Sequence, residues 1–113
     1  MKLWLDDLRE PPHPDWEWCR TPEEFTLMLA EYWNTVTEVS LDHDLGLPEP
    51  QNGYRVLCWI EEQVVEHNRP QCFGINIHTA NPVAHAKMWM VLQHLDAFKV
   101  QKARNEQQYV DTK

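Results

Sequence analysis

The chain has 113 residues, of which 42% are hydrophobic and 25% charged, a composition typical of one folded domain. Its formal net charge of −8 has the wrong sign for a protein that binds the phosphates of duplex DNA, so duplex DNA is not an expected partner. No apolar run is long enough to span a bilayer, and the N-terminus lacks an apolar signal region. We therefore expect neither membrane insertion nor secretion.

The cysteine content favours a reducing compartment. Cys19, Cys58 and Cys72 are odd in number and lack the spacing of a metal-binding motif. They are interpreted as reduced thiols of a cytoplasmic protein, with two of the three in its core.

The N-terminal part of the chain contains three predicted strands and one helix. The strands are indicated by alternating or β-branched apolar residues over 1–6, 16–20 and 35–41. Three prolines within residues 9–14 exclude helix and inner strand there. A helix begins after the second strand, because Thr21 suits the N-cap, Pro22 suits the first helical position and Glu24 completes a capping box.

The C-terminal part continues this alternation. The predicted elements are a loop over 46–53, a helix over 54–67, a strand over 73–77 and a third helix that begins at Asn81-Pro82. Residues 97–102 are interpreted as a last short strand and residues 104–113 as a polar tail that frays. All of these elements are assigned to a single domain over residues 1–113.

Strands that alternate with helices predict an α/β fold, a three-layer sandwich around a mostly parallel sheet. In such sheets the functional site lies outside the carboxyl ends of the strands. Polar and acidic side chains follow three of the predicted strands: Asp6, Asp7, Asp42, His43, Asp44, His78, Thr79 and Asn81. We expect Asp6, Asp42 and His78 to lie at neighbouring strand ends and to face one crevice.

The carboxylates of this predicted crevice would repel one another unless a cation or protons intervened. Oxygen ligands favour Mg²⁺ or Mn²⁺, and His43 and His78 could perform acid–base chemistry near neutral pH. Without bound metal, we expect the pKa of at least one of these carboxyl groups to be raised by its like-charged neighbours.

Each of these residues also has a purely structural interpretation. An Asp pair after a strand is common in turns, and Asn81 before Pro82 suits a helix cap. Arg9 could form a salt bridge with a neighbouring acid as readily as bind phosphate. The remaining histidines are expected to be solvated: His13, His67, His85 and His94. A site is favoured because independent turns have no reason to carry acidic or imidazole groups at three equivalent positions.

Three blocks of the sequence, LDDLREPP, SLDHDLG and HTANPVAHAKM, resemble the signature blocks of the cyclic-phosphate processing receiver-like domain family. The resemblance extends from Leu3 to about Met88 and implies a flavodoxin-like fold related to the receiver domains of bacterial response regulators. Thr79 stands where serine is common. Ala84 and Lys87 replace residues that are often glycine and asparagine, and the change at Lys87 could alter substrate contacts.

The resemblance also implies roles for individual residues. Asp6 and Asp7 match the acidic pair that holds Mg²⁺ in receiver domains, and Asp42 matches the aspartate that holds the metal and accepts a phosphoryl group. Thr79 matches the hydroxyl that contacts the phosphate. Three further groups are not receiver features and are groups that a hydrolase needs: His43, Asp44 and His78.

The first functional hypothesis is a metal-dependent phosphoesterase that opens a cyclic phosphate, such as a 2′,3′-cyclic phosphate on an RNA end or a small cyclic nucleotide. The predicted metal ligands are Asp6, Asp7, and Asp42 or Asp44. The predicted catalytic residues are His78 as general acid, His43 as base or as the group that orients water, and Asp42. The predicted phosphate ligands are Arg9, Thr79 and Asn81.

The second hypothesis is a non-enzymatic receiver-like module that binds a phosphorylated ligand or accepts a phosphoryl group on Asp42. A conventional receiver would use a lysine after the last strand, for which Lys99 and Lys102 are the candidates. A third hypothesis is a protein partner on an exposed tryptophan-rich face formed from Trp4, Trp16, Trp18 and Trp89.

Overall fold

A computed structural model describes the backbone of residues 1–111 and the side chains of residues 1–106. The described elements, in chain order, are β1 (Lys2–Leu5), β2 (Trp16–Cys19), α1 (Pro22–Tyr32), β3 (Glu38–Leu41), α2 (Gly53–Val65), β4 (Gly74–Ile77) and α3 (Pro82–Asp111). None of these helices combines the length and the apolar character that are needed to cross a membrane.

The four strands form one sheet in the order β2-β1-β3-β4, and every neighbouring pair is parallel. The predicted α/β, receiver-like fold is confirmed. Helix α1 connects β2 to β3 and α2 connects β3 to β4, so both connections run in the same direction across the sheet. Because such crossovers are right-handed, both helices lie on the same face of the sheet.

This helix-covered face of the sheet holds the hydrophobic core. The strand register aligns two rows of apolar side chains on it, Leu3, Val39 and Ile75 in one and Leu5, Leu41 and Ile77 in the other. They pack in one cluster with side chains from all three helices, including Phe25, Leu29, Leu57, Ile60, Met88 and Leu95. The removal of this apolar surface from water is the main source of stability.

The opposite face of the sheet, here called the open face, carries Trp4, Ser40, Trp16 and Trp18. No helix covers it in the part of the chain that the structure describes. The β1–β2 loop lies over it instead, and the indole Nε1 of Trp4 donates to the Arg9 carbonyl oxygen at 2.8 Å. This connection runs in the opposite direction across the sheet, and its prolines prevent a helix. A loop therefore takes the place of the second helical layer of the predicted sandwich.

Helices α1 and α2 begin at side-chain caps, of which the cap at Thr21 is the predicted one. Thr21 is the N-cap of α1, and its side-chain oxygen accepts a hydrogen bond from the Glu24 backbone N–H at 3.1 Å. Asn52 caps α2 in the same way and accepts from the Arg55 N–H at 3.0 Å. Helix α2 begins at Gly53, where an added Cβ would lie 1.8 Å from the Asp42 carbonyl oxygen. Glycine lets the first turn of α2 pack directly against the end of β3.

The predicted strand over residues 97–102 is wrong, because these residues continue α3. This stretch contains no Gly or Pro, and it is rich in Ala, Gln and Lys, which favour helices. Phe98 follows Leu95 at helical spacing and packs against the core. Of the predicted tail over 104–113, the residues through Asp111 are helical, and Thr112 and Lys113 lie outside the described residues.

The prediction that two cysteines lie in the core is also wrong. Cys19 is buried at the end of β2, whereas Cys58 is half-buried on α2 and Cys72 is exposed. Cys58 follows the fully buried Leu57 and therefore points to the flank of the helix rather than to the sheet. All three cysteines are free thiols.

Candidate functional site

The predicted site residues meet at the carboxyl edge of the sheet. Asp6, Asp42 and His78 directly follow β1, β3 and β4, which are neighbours in the sheet. Their backbones extend the parallel ladder by one residue: the Asp42 N–H donates to the Leu5 carbonyl oxygen at 2.9 Å, and the His78 N–H donates to the Leu41 carbonyl oxygen at 3.0 Å. The predicted placement of these three residues at one edge is confirmed.

Three carboxylates converge at this edge. Asp6, Asp7 and Asp42 each offer an oxygen atom, and these atoms lie within 4.8 Å of one another. Hard oxygen donors at this separation suit Mg²⁺ or Mn²⁺. Asp44 is not part of this group; its side chain is 67% exposed, and its Oδ1 lies 2.8 Å from Nδ1 of His43.

Asp6 is fixed in place by three hydrogen bonds. Its Oδ1 accepts from the backbone N–H groups of Leu8 at 2.9 Å and Arg9 at 2.8 Å, and its Oδ2 lies 3.1 Å from Nε2 of His78. Burial acts to raise the pKa of Asp6, but the two backbone N–H groups and His78 outweigh burial and lower the pKa below its usual value. The carboxylate is therefore held ionised, with its orientation set by the β1–β2 loop.

The pKa of Asp42 shifts in the opposite direction. Burial and then the negative charge of Asp6 raise the pKa of Asp42, against the hydrogen bond from the His43 backbone N–H at 2.8 Å and the influence of His78 and Thr79. The prediction that at least one carboxyl group has a raised pKa is confirmed. The larger cause is burial rather than the like charge that the sequence suggested.

The His78 ring contacts three other side chains. Its Nδ1 lies 2.7 Å from the Ser40 hydroxyl, its Nε2 bonds Asp6, and its ring stacks on Trp4 with centroids 3.8 Å apart and planes inclined by 5°. Burial lowers the pKa of His78 more than its acidic neighbours raise it, so the neutral imidazole is favoured. A neutral ring that donates a hydrogen bond from Nε2 to Asp6 accepts one at Nδ1 from the Ser40 hydroxyl, and these two bonds fix its tautomer.

Sequence reasoning missed Trp4 and Ser40. The signal was present, because side chains two residues apart on a strand share a face. Trp4 precedes Asp6 by two residues, and Ser40 precedes Asp42 by two. A polar residue in an otherwise apolar strand that ends in acidic residues thus indicates a side chain that supports the site.

Asp7 lies against a turn that requires glycine. Gly46, the last residue of the SLDHDLG block, has a φ of +68°, a conformation that is costly for residues with a Cβ. An added Cβ would also lie 3.1 Å from Oδ2 of Asp7. The glycine therefore serves both the turn and the space that the Asp7 carboxylate occupies.

The predicted phosphate ligands lie beside the carboxylates. The exposed Arg9 side chain donates from Nη1 to the His78 carbonyl oxygen at 3.3 Å, and it forms no salt bridge among the described residues. Asn81 caps α3, since its Oδ1 accepts from the N–H groups of Val83 and Ala84, both at 3.1 Å. The Thr79 hydroxyl accepts from the Asn81 N–H at 3.2 Å. The structural interpretation of Asn81 is thus observed, whereas that of Arg9 is not.

The other titratable residues of the sequence analysis lie away from this edge or have other partners. Lys87 places its Nζ 4.0 Å from the centroid of the Tyr54 ring. Lys102 bonds the Asn68 side chain at 2.8 Å, and Lys99 lies beside Phe73 at the amino end of β4. Lys99 and Lys102 are therefore at the edge opposite the carboxylates. The four remaining histidines are exposed, as predicted: His13, His67, His85 and His94.

Comparison with known proteins agrees with this geometry. A family model described as "Cyclic-phosphate processing Receiver domain" matches residues 1–94, most of the chain and all of the site. No curated protein and no solved structure matched the chain.

Proposed function

The chain belongs to the cyclic-phosphate processing receiver domain family, and we propose that it hydrolyses a cyclic phosphate ester in a metal-dependent reaction. The substrate class is a 2′,3′-cyclic phosphate on an RNA end or a small cyclic nucleotide. The observation that carries the proposal is the convergence of three carboxylates within 4.8 Å, at the edge where Arg9 has no carboxylate partner among the residues whose side chains are described.

Asp6, Asp7 and Asp42 would hold Mg²⁺ or Mn²⁺. When bound, such a cation supplies Lewis acidity that polarises the phosphoryl oxygens and makes water more acidic. The residues fit it chemically, since burial and Asp6 raise the pKa of Asp42, and a cation removes the like-charge part of that cost. The bonds from Leu8, Arg9 and His78 pre-orient Asp6 before any cation binds.

Arg9 and Thr79 would hold the phosphate. The guanidinium is a planar fork that can donate two parallel hydrogen bonds to phosphoryl oxygens while its bond to the His78 carbonyl fixes its position. Asn81 uses its Oδ1 to cap α3, which leaves its Nδ2 as the group that could donate to the substrate.

In the proposed reaction, water adds to phosphorus and the bond from phosphorus to one ring oxygen breaks, which yields a phosphomonoester. The proton that water loses and the proton that the leaving oxygen gains must both be moved. His43, oriented through Nδ1 by Asp44, is the proposed base. His78 is the proposed general acid: its ring, neutral in the free protein, first binds a second proton at Nδ1. Its Nε2 N–H then turns from Asp6 to the leaving oxygen and transfers its proton, which returns the ring to the neutral form while His43 holds the proton that water loses.

Metal binding is tested by thermal melting of the protein with and without millimolar Mg²⁺ or Mn²⁺. A ligand at about 100 times its Kd stabilises the folded state by about 2.7 kcal/mol, so the wild type should melt at a higher temperature with metal. Asp7→Asn should lose most of this shift. Asp44→Asn is the matched control, since Asp44 lies outside the carboxylate group, and it should keep the shift. A melting temperature that metal leaves unchanged would count against the site.

Hydrolysis is tested by ³¹P NMR with a nucleoside 2′,3′-cyclic phosphate, which should be converted to a phosphomonoester. His78→Gln keeps an N–H group that can donate to Asp6 but cannot release a proton. Loss of an acid–base group typically lowers the rate by about 10²–10⁴-fold, and that loss is expected here. Turnover by His78→Gln at the wild-type rate would show that His78 only positions Asp6.

The alternative of a phosphoryl acceptor on Asp42 has less support, because Lys99 and Lys102 lie at the opposite edge of the sheet. Acetyl phosphate followed by intact-mass measurement tests it. A mass gain of one phosphoryl group that Asp42→Asn abolishes, without turnover of cyclic phosphates, would replace hydrolysis by this function.

We also place the reaction in the cytoplasm, with a phosphorylated small molecule or an RNA end as the partner. The support for a reducing compartment is that Cys19, Cys58 and Cys72 are free thiols. The net charge of −8 makes duplex DNA an unsuitable partner.

A further inference from the structure

A cleft on the open face lies along the β1–β2 loop and has no role in the chemistry above. Its volume is about 340 Å³, and it is lined by residues 10–14 of the β1–β2 loop and by Trp16 and Trp18 of β2. We propose that this cleft binds the nucleobase of a nucleoside cyclic phosphate. The inference rests on the proposed function and names the site that would recognise the base of its substrate.

The walls of the cleft suit a flat aromatic ring. Trp16 and Trp18 lie two residues apart on β2 and point to the same face, so their Cα atoms are separated by about 6.6 Å. Both side chains are half-buried, and β2 is an edge strand of the sheet. Bases stack on indole rings whatever their sequence, because every base presents a π-face.

Trp16 has a free hydrogen-bond donor. The indole N–H groups of Trp4, Trp18 and Trp33 each donate to a backbone carbonyl oxygen. No partner is found among the described residues for Nε1 of Trp16, nor for those of Trp59 and Trp89, and of these three only Trp16 lines the cleft. A base in the cleft would offer ring nitrogens and carbonyl oxygens to this donor.

The Trp18 end of the cleft adjoins the residues of the proposed phosphate site. The Trp18 indole donates to the Asp6 carbonyl oxygen at 2.7 Å, and the loop that lines the cleft begins directly after Arg9. Trp4 joins the two regions, with its ring 5.7 Å edge-on from Trp16 and stacked on His78 at 3.8 Å. A phosphate at Arg9 would therefore lie towards the Trp18 end of the cleft, and Trp16, the register partner of Lys2, would lie at its far end.

Two cations lie over the indole rings of the cleft. Lys2 Nζ lies 5.4 Å from the centroid of the Trp16 ring, and Arg20 Cζ lies 3.9 Å from that of Trp18. Lys2 is also paired with Asp15 at 3.6 Å and Glu38 at 3.8 Å, so Arg20 is the cation of this pair that could meet the negative charge of a nucleotide. Arg20 covers one side of the Trp18 ring, so a base is expected to stack mainly on Trp16.

The first test measures binding without turnover. Protein labelled with ¹⁵N is titrated, without divalent metal, with adenosine 3′-phosphate and separately with glycerol phosphate. The nucleotide should shift the indole N–H signals of Trp16 and Trp18, and glycerol phosphate should not. Trp89, which is 51% exposed on α3, is the control, and its signal should stay in place. If no signal of Trp16 or Trp18 responds to the nucleotide, the cleft does not bind a base.

The second test uses kinetics. Stacking is worth about 1–3 kcal/mol per base, so Trp16→Leu should raise KM for a nucleoside 2′,3′-cyclic phosphate by about 5–150-fold with little change in kcat. KM for glycerol 1,2-cyclic phosphate should not change. Trp16→Phe should restore most of the affinity, which excludes misfolding as the cause, and Trp89→Leu should match the wild type.

These results separate the two proposals. If neither cyclic phosphate is hydrolysed but the indole signals respond, the proposed reaction fails and the base site stands. If both substrates are hydrolysed with the same KM and Trp16→Leu has no effect, the reaction stands and the base site fails. The KM values of a mononucleotide and a trinucleotide with the same cyclic end show whether a free nucleotide or an RNA end is the better substrate. Trp16→Leu should raise KM for both.

Discussion

The two faces of the sheet in this protein carry different kinds of side chain. On the helix-covered face, Leu3, Leu5 and Leu41 are fully buried among other apolar residues. On the open face, Trp4 and Ser40 are buried too, at 7% and 3% exposure, but each holds His78 in place. Burial on one face serves stability, whereas burial on the other positions polar groups for the site.

Both kinds of side chain come from the same short strands. In β3, Val39 and Leu41 point to the helices while Ser40 between them points to the open face. A slip of one residue in strand register would exchange the two sets, so the core that fixes the register also fixes the site. Stability and chemistry are therefore separated in space but coupled through the backbone.

The comparison predicts that the largest loss of stability comes from the helix-covered face. Leu5→Ala should destabilise the fold by about 2–5 kcal/mol, because Leu5 is 0% exposed and its removal leaves a cavity. Leu27→Ala on α1, where the side chain is 65% exposed, is the matched control and should change stability by less than about 0.5 kcal/mol. Urea unfolding measures both, and equal effects would contradict the placement of the core.

A smaller effect is expected on the open face from Ser40→Ala. The substitution leaves the buried Nδ1 of His78 without its 2.7 Å partner, which typically costs about 1–3 kcal/mol. Asn76→Ala is the control, since Asn76 is the register partner of Ser40 and its bond to Glu38 is exposed. That variant should stay within about 0.5 kcal/mol of the wild type in the same unfolding experiment. If Ser40→Ala is equally mild, Ser40 does not hold His78.

The sequence predicted one face of this comparison better than the other. Apolar spacing and caps located the four strands and the start of each helix, and the position of acidic residues after strands located the edge where Asp6 and Asp42 meet. These are local patterns with a fixed spacing, so they can be recognised along the sequence without knowledge of the fold. The strand prediction for residues 97–102 failed, because a short apolar stretch fits the period of a strand as well as that of a helix, and these residues continue α3.

The support for the site could not be predicted in this way. The stack of Trp4 on His78 and the bond from Ser40 join residues 74 and 38 positions apart, and only strand order brings them together. The pKa of Asp42 is raised mainly by burial, which depends on the packing around the finished edge. The composition also could not predict that Asp6 is buried and Asp42 half-buried.

The glycine beside Asp7 offers a third test, with an expected effect smaller again. Gly46→Ala places a Cβ on a residue with φ of +68° and within 3.1 Å of Asp7 Oδ2, so it should cost about 1–2 kcal/mol and weaken the metal-induced rise in melting temperature. Gly74→Ala is the matched control, because an added Cβ there meets nothing within 4 Å. It should be neutral or slightly stabilising. Equal melting temperatures of the two variants would contradict the strain at Gly46.

The smallest expected change concerns the two carboxylates whose pKa values shift in opposite directions. Because the pKa of Asp42 is raised in the folded protein, its ionisation costs stability. The loss develops as the pH rises from the ordinary value of 3.8 and is complete above the folded-state pKa. Asp42→Asn removes this charge and keeps an oxygen that can accept the His43 N–H. Without metal at pH 7, this variant should melt slightly above the wild type, and the difference should shrink as the pH falls towards 3.8.

Asp6→Asn makes the same chemical change and should have the opposite sign. Because the pKa of Asp6 is lowered, its ionised form adds stability that is fully present above the ordinary value of 3.8 and is lost as the pH falls through the folded-state pKa. The variant should therefore melt below the wild type at pH 7 and approach it in strong acid. Melting curves in EDTA from pH 7 to pH 3 measure both variants. Shifts of the same sign would mean that the backbone N–H groups of the β1–β2 loop do not distinguish Asp6 from Asp42.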